Sequence, residues 1–305
     1  MLTERARKKV AIEHSRRLSA GDIDALLELY AADATFEDPV GSGRQAGHQA
    51  LRAHFEPAVA AGTRETIENS TVGHDGRSVL TRLTAEMDYG PLGPLYAERG
   101  WLPAPTGPGP EPARLRCHSA MLLHVGASGL IEDMQGFFGR GDLETSPDGS
   151  PGSYAGPEKL SPGEVALRQM TRNYTDLLND GEVDRVAELF TEDIVFEDPV
   201  GRTTLHGRQA LREHLHWAAH AGVREVPSRS VTAMEGPLVV TATDVRLHLP
   251  QEMSSCIIAI SEMNEDGLGV HVRAYWGLTD VTMGVLPARD TTPEATPEPL
   301  ARATE

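Results

Sequence analysis

The sequence predicts an α+β protein built from two tandem copies of one small domain. Three observations carry that prediction. An internal repeat holds its register at an offset of 160 residues, each copy runs helices first and strands after, and 305 residues suffice for two hydrophobic cores.

The repeat is close enough to align by eye. Phe36-Glu37-Asp38-Pro39-Val40-Gly41 recurs unchanged as Phe196-Glu197-Asp198-Pro199-Val200-Gly201, and GHQALRAH from residue 47 recurs as GRQALREH from residue 207. Ala61-Gly62-Thr63-Arg64-Glu65 meets Ala221-Gly222-Val223-Arg224-Glu225. Near each copy's end the offset drops to 138, where Phe137-Phe138-Gly139 meets Tyr275-Trp276-Gly277, so copy one holds 22 extra residues. The surplus lies in 89–114, crowded with Pro and Gly, and reads as an extended flap. The expected division is a first domain at 1–142, a flexible Ser/Pro/Gly linker at 143–162, a second domain at 163–286 and a disordered tail at 287–305.

Elements follow in order. In copy two, Val165, Leu167, Met170, Tyr174, Leu177 and Leu178 recur at helical spacing, and Asn179-Asp180-Gly181 ends that helix. A second helix is expected at 183–190, a short strand at 194–196 and a third helix at 207–221. Between the last two, Pro199 cannot donate to a ladder and Gly201 supports a tight reversal. Strands are expected at 224–233, 238–249, 254–260 and 268–276, with the same series in copy one. Segregated helices and antiparallel strands predict a curved sheet wrapped against helices around a pocket.

Composition narrows the function. Acidic residues outnumber basic ones 45 to 28, and the resulting charge of −17 disfavours binding to a phosphate backbone, so no nucleic-acid partner is expected. No apolar run is long enough for a membrane span and the N-terminus lacks an apolar signal core, so a cytoplasmic protein is expected. Cys117 and Cys256 sit in apolar strand-like runs and read as small hydrophobes in a reducing compartment. A duplicated chain is compatible both with an intrachain pseudo-dimer and with a homo-oligomer.

The candidate chemistry is a pair of carboxylates. Asp38 follows a strand and Glu65 opens another 27 residues later, and Asp198 and Glu225 repeat that spacing. Beside an apolar cavity, desolvation and mutual repulsion raise one pKa while its partner stays ionised, so a pair can remove one proton and supply another. The plain alternative is a surface carboxylate bridged to Arg64 or Arg224. Identity at these positions, with differences at Thr66/Val226 and Ile67/Pro227, weakens that alternative, and it is the family resemblance below, taken together with this identity, that favours the functional reading.

At the FEDPVG turns and Tyr174 the chain resembles the ketosteroid isomerase-like superfamily, including the SnoaL-like polyketide cyclases. The resemblance spans both copies and implies two domains, each a curved, mostly antiparallel sheet packed on three helices as a cone-shaped pocket. It places a catalytic base at Asp38 and Asp198, and Tyr174 and His14 where the isomerase has its oxyanion-hole tyrosine. The isomerase's protonated aspartic acid falls on Met121 and Ala259, neither of which donates, so steroid isomerisation is disfavoured. The tandem fusion, the flap motif at 87–95 and AYWG-x-TD at 274–280 are more similar to polyether epoxide hydrolase/cyclases of the lasalocid type. That resemblance implies a small-molecule polyepoxide substrate, acid/base pairs Asp38 with Glu65 and Asp198 with Glu225, and neither metal nor organic cofactor. Tyr89 in the flap, with Phe138 and Trp276 near the domain ends, completes the expected pocket. An enolate-forming cyclase or isomerase, and a non-catalytic ligand-binding scaffold, remain the alternatives.

Other signals are weaker. His216 and His220 stand four apart on a helix but lack a third ligand, so no metal site is expected. Gly41, Gly43 and Gly47 lie outside any βαβ unit and do not form a dinucleotide loop.

Overall fold

Capping residues fix where each copy begins. Thr3 Oγ1 accepts from the Ala6 N–H at 3.2 Å and starts α1 (Glu4–Ala20), while Ser161 and Glu164 form a capping box that starts α5 (Pro162–Asn179). The structure, a computed structural model, describes residues 2–102, 112–248 and 250–284. The predicted tail at 287–305 lies outside the described residues, as does 103–111 of the flap.

In the first domain α1 is followed by α2 (Ile23–Leu27), β1 (Tyr30–Glu37), β2 (Gln45–Ala46), α3 (His48–Ala60), β3 (Arg64–Val72) and β4 (Ser78–Asp88). Then come α4 (Leu92–Glu98), β5 (Arg114–Val125), β6 (Ile131–Phe137) and β7 (Leu143–Ser146). The second domain runs α5, α6 (Val183–Ala187), β8 (Phe190–Glu197), β9 (Thr204–His206), α7 (Arg208–His220), β10 (Arg224–Pro227) and β11 (Val231–Thr232). It ends with β12 (Leu238–Leu247), β13 (Met253–Met263), β14 (Gly269–Tyr275) and β15 (Val281–Met283). The first sheet has the order β2-β1-β6-β5-β4-β3 with β7 on β5. The second repeats it as β9-β8-β14-β13-β12-β10, with β11 on β12 and β15 on β13.

The α+β prediction holds, with several adjustments. The strand expected at 224–233 is two, β10 and β11, interrupted at 228–230. The second helix of copy two ends at Ala187, because Phe190 already begins β8, where its ring meets Tyr174 edge-on. One pair per sheet is parallel, β1 with β6 and β8 with β14, since the chain returns to its first strand only after crossing the sheet. The flap contains the helix α4 rather than extended chain throughout. Residues 143–146 of the expected linker form β7, paired with β5 from Arg114↔Ser146 to Cys117↔Leu143, so the first sheet continues past residue 142.

Both faces of each sheet are covered, for different reasons. Successive side chains alternate, so on β5 Met121 and Leu123 face the helices while Leu122 turns away. Leu80, Leu122 and Phe137 then pack against Val231, Val240, Ile258, Ile260 and Tyr275 of the other sheet. The two copies therefore form an intrachain pseudo-dimer, sheet on sheet.

Helix ends tie the copies together reciprocally. Arg168 in the second turn of α5 pairs with the fully buried Asp142 of the first domain at 2.8 Å, and Lys8 in the second turn of α1 pairs with the equivalent Asp280 of the second. Glu164 accepts from the Gly141 N–H at 2.9 Å, and Glu4 accepts from the Thr279 N–H at 2.8 Å. Cys117 is buried and Cys256 half-buried, and both are free thiols. Among the described residues no helix is long and apolar enough to cross a membrane.

Candidate active site

The carboxylate pairs sit where the sheet curls over the helices. β3 and β10 begin Arg-Glu, and strand alternation turns the arginine out and the glutamate in. Arg64 bonds the carbonyls of Ser19 and Thr63, and Arg224 bonds those of Asn179 and Val223, so neither arginine pairs with its neighbouring glutamate. The glutamate backbone is clamped from the first helix. Ser19 Oγ accepts from the Glu65 N–H at 2.9 Å, and Asn179 Oδ1 accepts from the Glu225 N–H at 2.8 Å.

In the first domain Asp38, Glu65, His14, Phe138 and Tyr96 line one cavity of about 160 Å³. Glu65 Oε2 is shut away from water with no hydrogen-bond partner. Burial pushes the Glu65 carboxyl up to about 7; the nearby Ser15 hydroxyl works against that shift and the Asp38 charge adds to it. Asp38 takes a different neighbour: His54 Nε2, on α3, lies 3.0 Å from its Oδ2. An ionised carboxylate only accepts, so this contact makes Nε2 the donor. The other Asp38 oxygen lies against Gly136, where any Cβ would collide with it.

The second domain repeats the pair in a smaller cavity of about 90 Å³, lined by Asp198, Glu225 and Tyr174. Burial raises Glu225 to about 7, helped by the charge of Asp198. His214 Nε2 stands 3.2 Å from Asp198 Oδ2, and Trp276 Nε1 donates to Asp198 Oδ1 at 2.6 Å. Copy one has Phe138 in place of that indole and cannot make the bond.

The upper walls differ as well. His14 is buried with both ring nitrogens unpartnered, edge-on to Tyr30 and Phe55 at 5.8 and 5.6 Å. Burial lowers it to about 4, partly opposed by the charge of Asp38, so it is a neutral ring at neutral pH. Tyr174 keeps its phenol protonated, because burial and then Glu225 and Asp198 raise its pKa.

Most of the residues expected from the sequence thus converge in two pockets. Trp276 reaches its site through Asp198. Tyr89 is the exception: it is buried under α4, packed against Gly93, and Tyr96 of the same flap lines the cavity instead. Tyr96 and Trp101 close over Phe138 at ring distances of 6.1 and 6.2 Å. His54 and His214 were not singled out from the sequence, although they recur in register inside the GHQALRAH and GRQALREH strings. At the isomerase's aspartic-acid position, Met121 and Ala259 line their cavities, so no carboxyl stands there.

A curved sheet closed by helices over a buried carboxylate, made twice, defines a class. The chain belongs to the SnoaL-like domain family, whose pattern matches residues 11–134 and 171–278. A curated relative, epoxide hydrolase LasB of Streptomyces lasalocidi, is 31% identical over 93% of this chain and 98% of its own length. A solved structure, that of the epoxide hydrolase/cyclase-like enzyme SalBIII described for pyran ring formation in polyether salinomycin, is 28% identical. It covers 45% of this chain and 93% of the other, with a TM-score of 0.37.

Proposed function

We propose that the chain is an epoxide-opening cyclase of polyether biosynthesis, acting on a linear polyketide that carries epoxides and an internal hydroxyl. The observation that carries this reading is the recurrence, in two cavities, of a glutamic acid held near pH 7 beside a histidine-bonded aspartate. The end-to-end relationship to an epoxide hydrolase supports the substrate class.

The division of labour follows from the surroundings. Glu65 and Glu225, raised to about 7, are protonated in a large share of molecules at neutral pH and supply that proton to the epoxide oxygen as its C–O bond breaks. Asp38 and Asp198 accept the proton of the attacking hydroxyl as its oxygen bonds to the epoxide carbon. One proton is taken and one given, so the substrate is isomerised without net change, and proton exchange returns the pair to its starting state. His54 and His214 orient the aspartates, and Trp276 fixes a second oxygen only in copy two. The two cavities differ in size and walls, so the two sites act on different epoxides of one substrate.

The test is a synthetic bis-epoxide with one free hydroxyl. Wild type should form cyclic ethers, and the Asp38→Asn/Asp198→Asn double variant should not. Equal products at equal rates would refute the reading. Exchange of a substrate α-proton with solvent deuterium would instead indicate enolate chemistry.

A further inference from the structure

The hairpin turns leading into β4 and β12 each reach across the pseudo-dimer to the other domain's site. The contact is reciprocal at the repeat offset. His74 N–H donates to the Val200 carbonyl at 2.7 Å, and Met234 N–H donates to the Val40 carbonyl at 3.1 Å. Val40 and Val200 each stand two residues after the site aspartate, inside the FEDPVG turns. The turn glycines make the approach feasible. A Cβ on Gly41 would lie 2.7 Å from Glu235 Cβ, and one on Gly201 would collide with the Asp75 backbone.

What each turn delivers differs. The His74 ring lies edge-on to Trp276 at 6.0 Å, and Trp276 is the indole that bonds Asp198. His74 Nε2 is buried with no hydrogen-bond partner, so no bond at that nitrogen draws the ring away from the indole. Met234, 5% exposed, packs into the core of the first domain although it belongs to the second. Met234 and Glu235 also wall a vestibule of about 530 Å³ that contains Asp38 and His54.

We propose that each domain completes the other's active site: His74 of the first positions Trp276 and thereby Asp198, while Met234 and Glu235 of the second wall the entrance to the Asp38 site and select its substrate. The inference rests on the epoxide-opening reading for its assay. His74 is a positioning residue, because it reaches the reacting groups only through Trp276.

A crossed set of full-length variants tests it. In the Asp38→Asn background only the second site turns over the bis-epoxide. There His74→Ala should lower kcat on the order of tenfold to a hundredfold, the scale of a misplaced catalytic group, with KM little changed. His74→Phe, which keeps an aromatic edge against the indole, should restore most of it. In the Asp198→Asn background, Met234→Ala or Glu235→Ala should raise KM severalfold and leave kcat nearly unchanged.

A second readout needs no turnover. The chain has three tryptophans, and the Trp276 indole N–H resonance is assigned by its loss in Trp276→Phe. His74→Ala in the otherwise native chain should move that resonance and leave those of Trp101 and Trp217 in place. An unmoved resonance, or a His74→Ala loss confined to the first site, would overturn the His74 arm. Unchanged KM in both entrance variants would overturn the other. If the single-aspartate variants form no ring, the indole shift decides the His74 arm. Bis-epoxide binding to the inactive double-aspartate chain, with and without Met234→Ala, then decides the entrance arm. If wild type itself forms no ring, the epoxide reading fails while the indole result still stands.

Discussion

Burial sets the protonation of Glu65 and Glu225, and the same burial must be visible in stability. Each carboxyl is raised from 4.5 to about 7, so the folded chain binds these protons more tightly than the unfolded one. Their contribution is therefore complete below pH 4.5 and is lost as the pH rises through 7. Replacing Glu65 by Gln removes that loss. At pH 9 the variant should be more stable than wild type by on the order of 2–3 kcal/mol, and at pH 4.5 the difference should vanish, as read by urea denaturation. Replacing His54 or His214 by Ala should slow its own site roughly tenfold to a hundredfold, with Gln retaining more activity, measured by ring closure in single-site backgrounds. The carboxylates were legible because both copies keep them at one spacing. The histidines stand in the same repeat, but a helical register does not say which face meets the aspartate until the sheet is in place.

Elements were legible according to their length. Helices of three turns or more and most strands of seven residues or more left a clear period, although only 194–196 of the eight-residue β8 reads as strand, whereas β7 and β15, at four and three residues, left none. The parallel pairs were invisible because each depends on a strand met about a hundred residues later in the first domain and about eighty in the second. The flap was located by its surplus of Pro and Gly, but α4 inside it was not, and so Tyr89 was expected where Tyr96 stands. Since Trp101 and Tyr96 cover Phe138, Trp101→Ala should impair only the first site, raising KM more than it lowers kcat in the Asp198→Asn background. The sheet-to-sheet layer makes a separate prediction. Leu122, 1% exposed, faces the other domain, and Leu122→Ala should cost about 2–5 kcal/mol of unfolding free energy in urea.

At the scale of the whole molecule, duplication has produced one body with two unequal sites. The strand order repeats, with β3 answered by the two pieces β10 and β11, yet the first cavity is covered by a flap and walled by His14, while the second is smaller and has Tyr174 and an indole on its aspartate. That asymmetry suits the two-step ring closure proposed above, and the sequence already displays it in the unmatched residues of an otherwise matched repeat. The element common to both proposed sites is a protonated glutamic acid facing an aspartate base. The most direct measurement is the rate of ring closure of the bis-epoxide against pH. Wild type should lose activity as the pH rises past about 7, following deprotonation of Glu65 and Glu225, and the slow residual closure of Glu65→Gln/Glu225→Gln should show no such fall. A wild-type rate that stays level from pH 6 to about 9 would contradict the account.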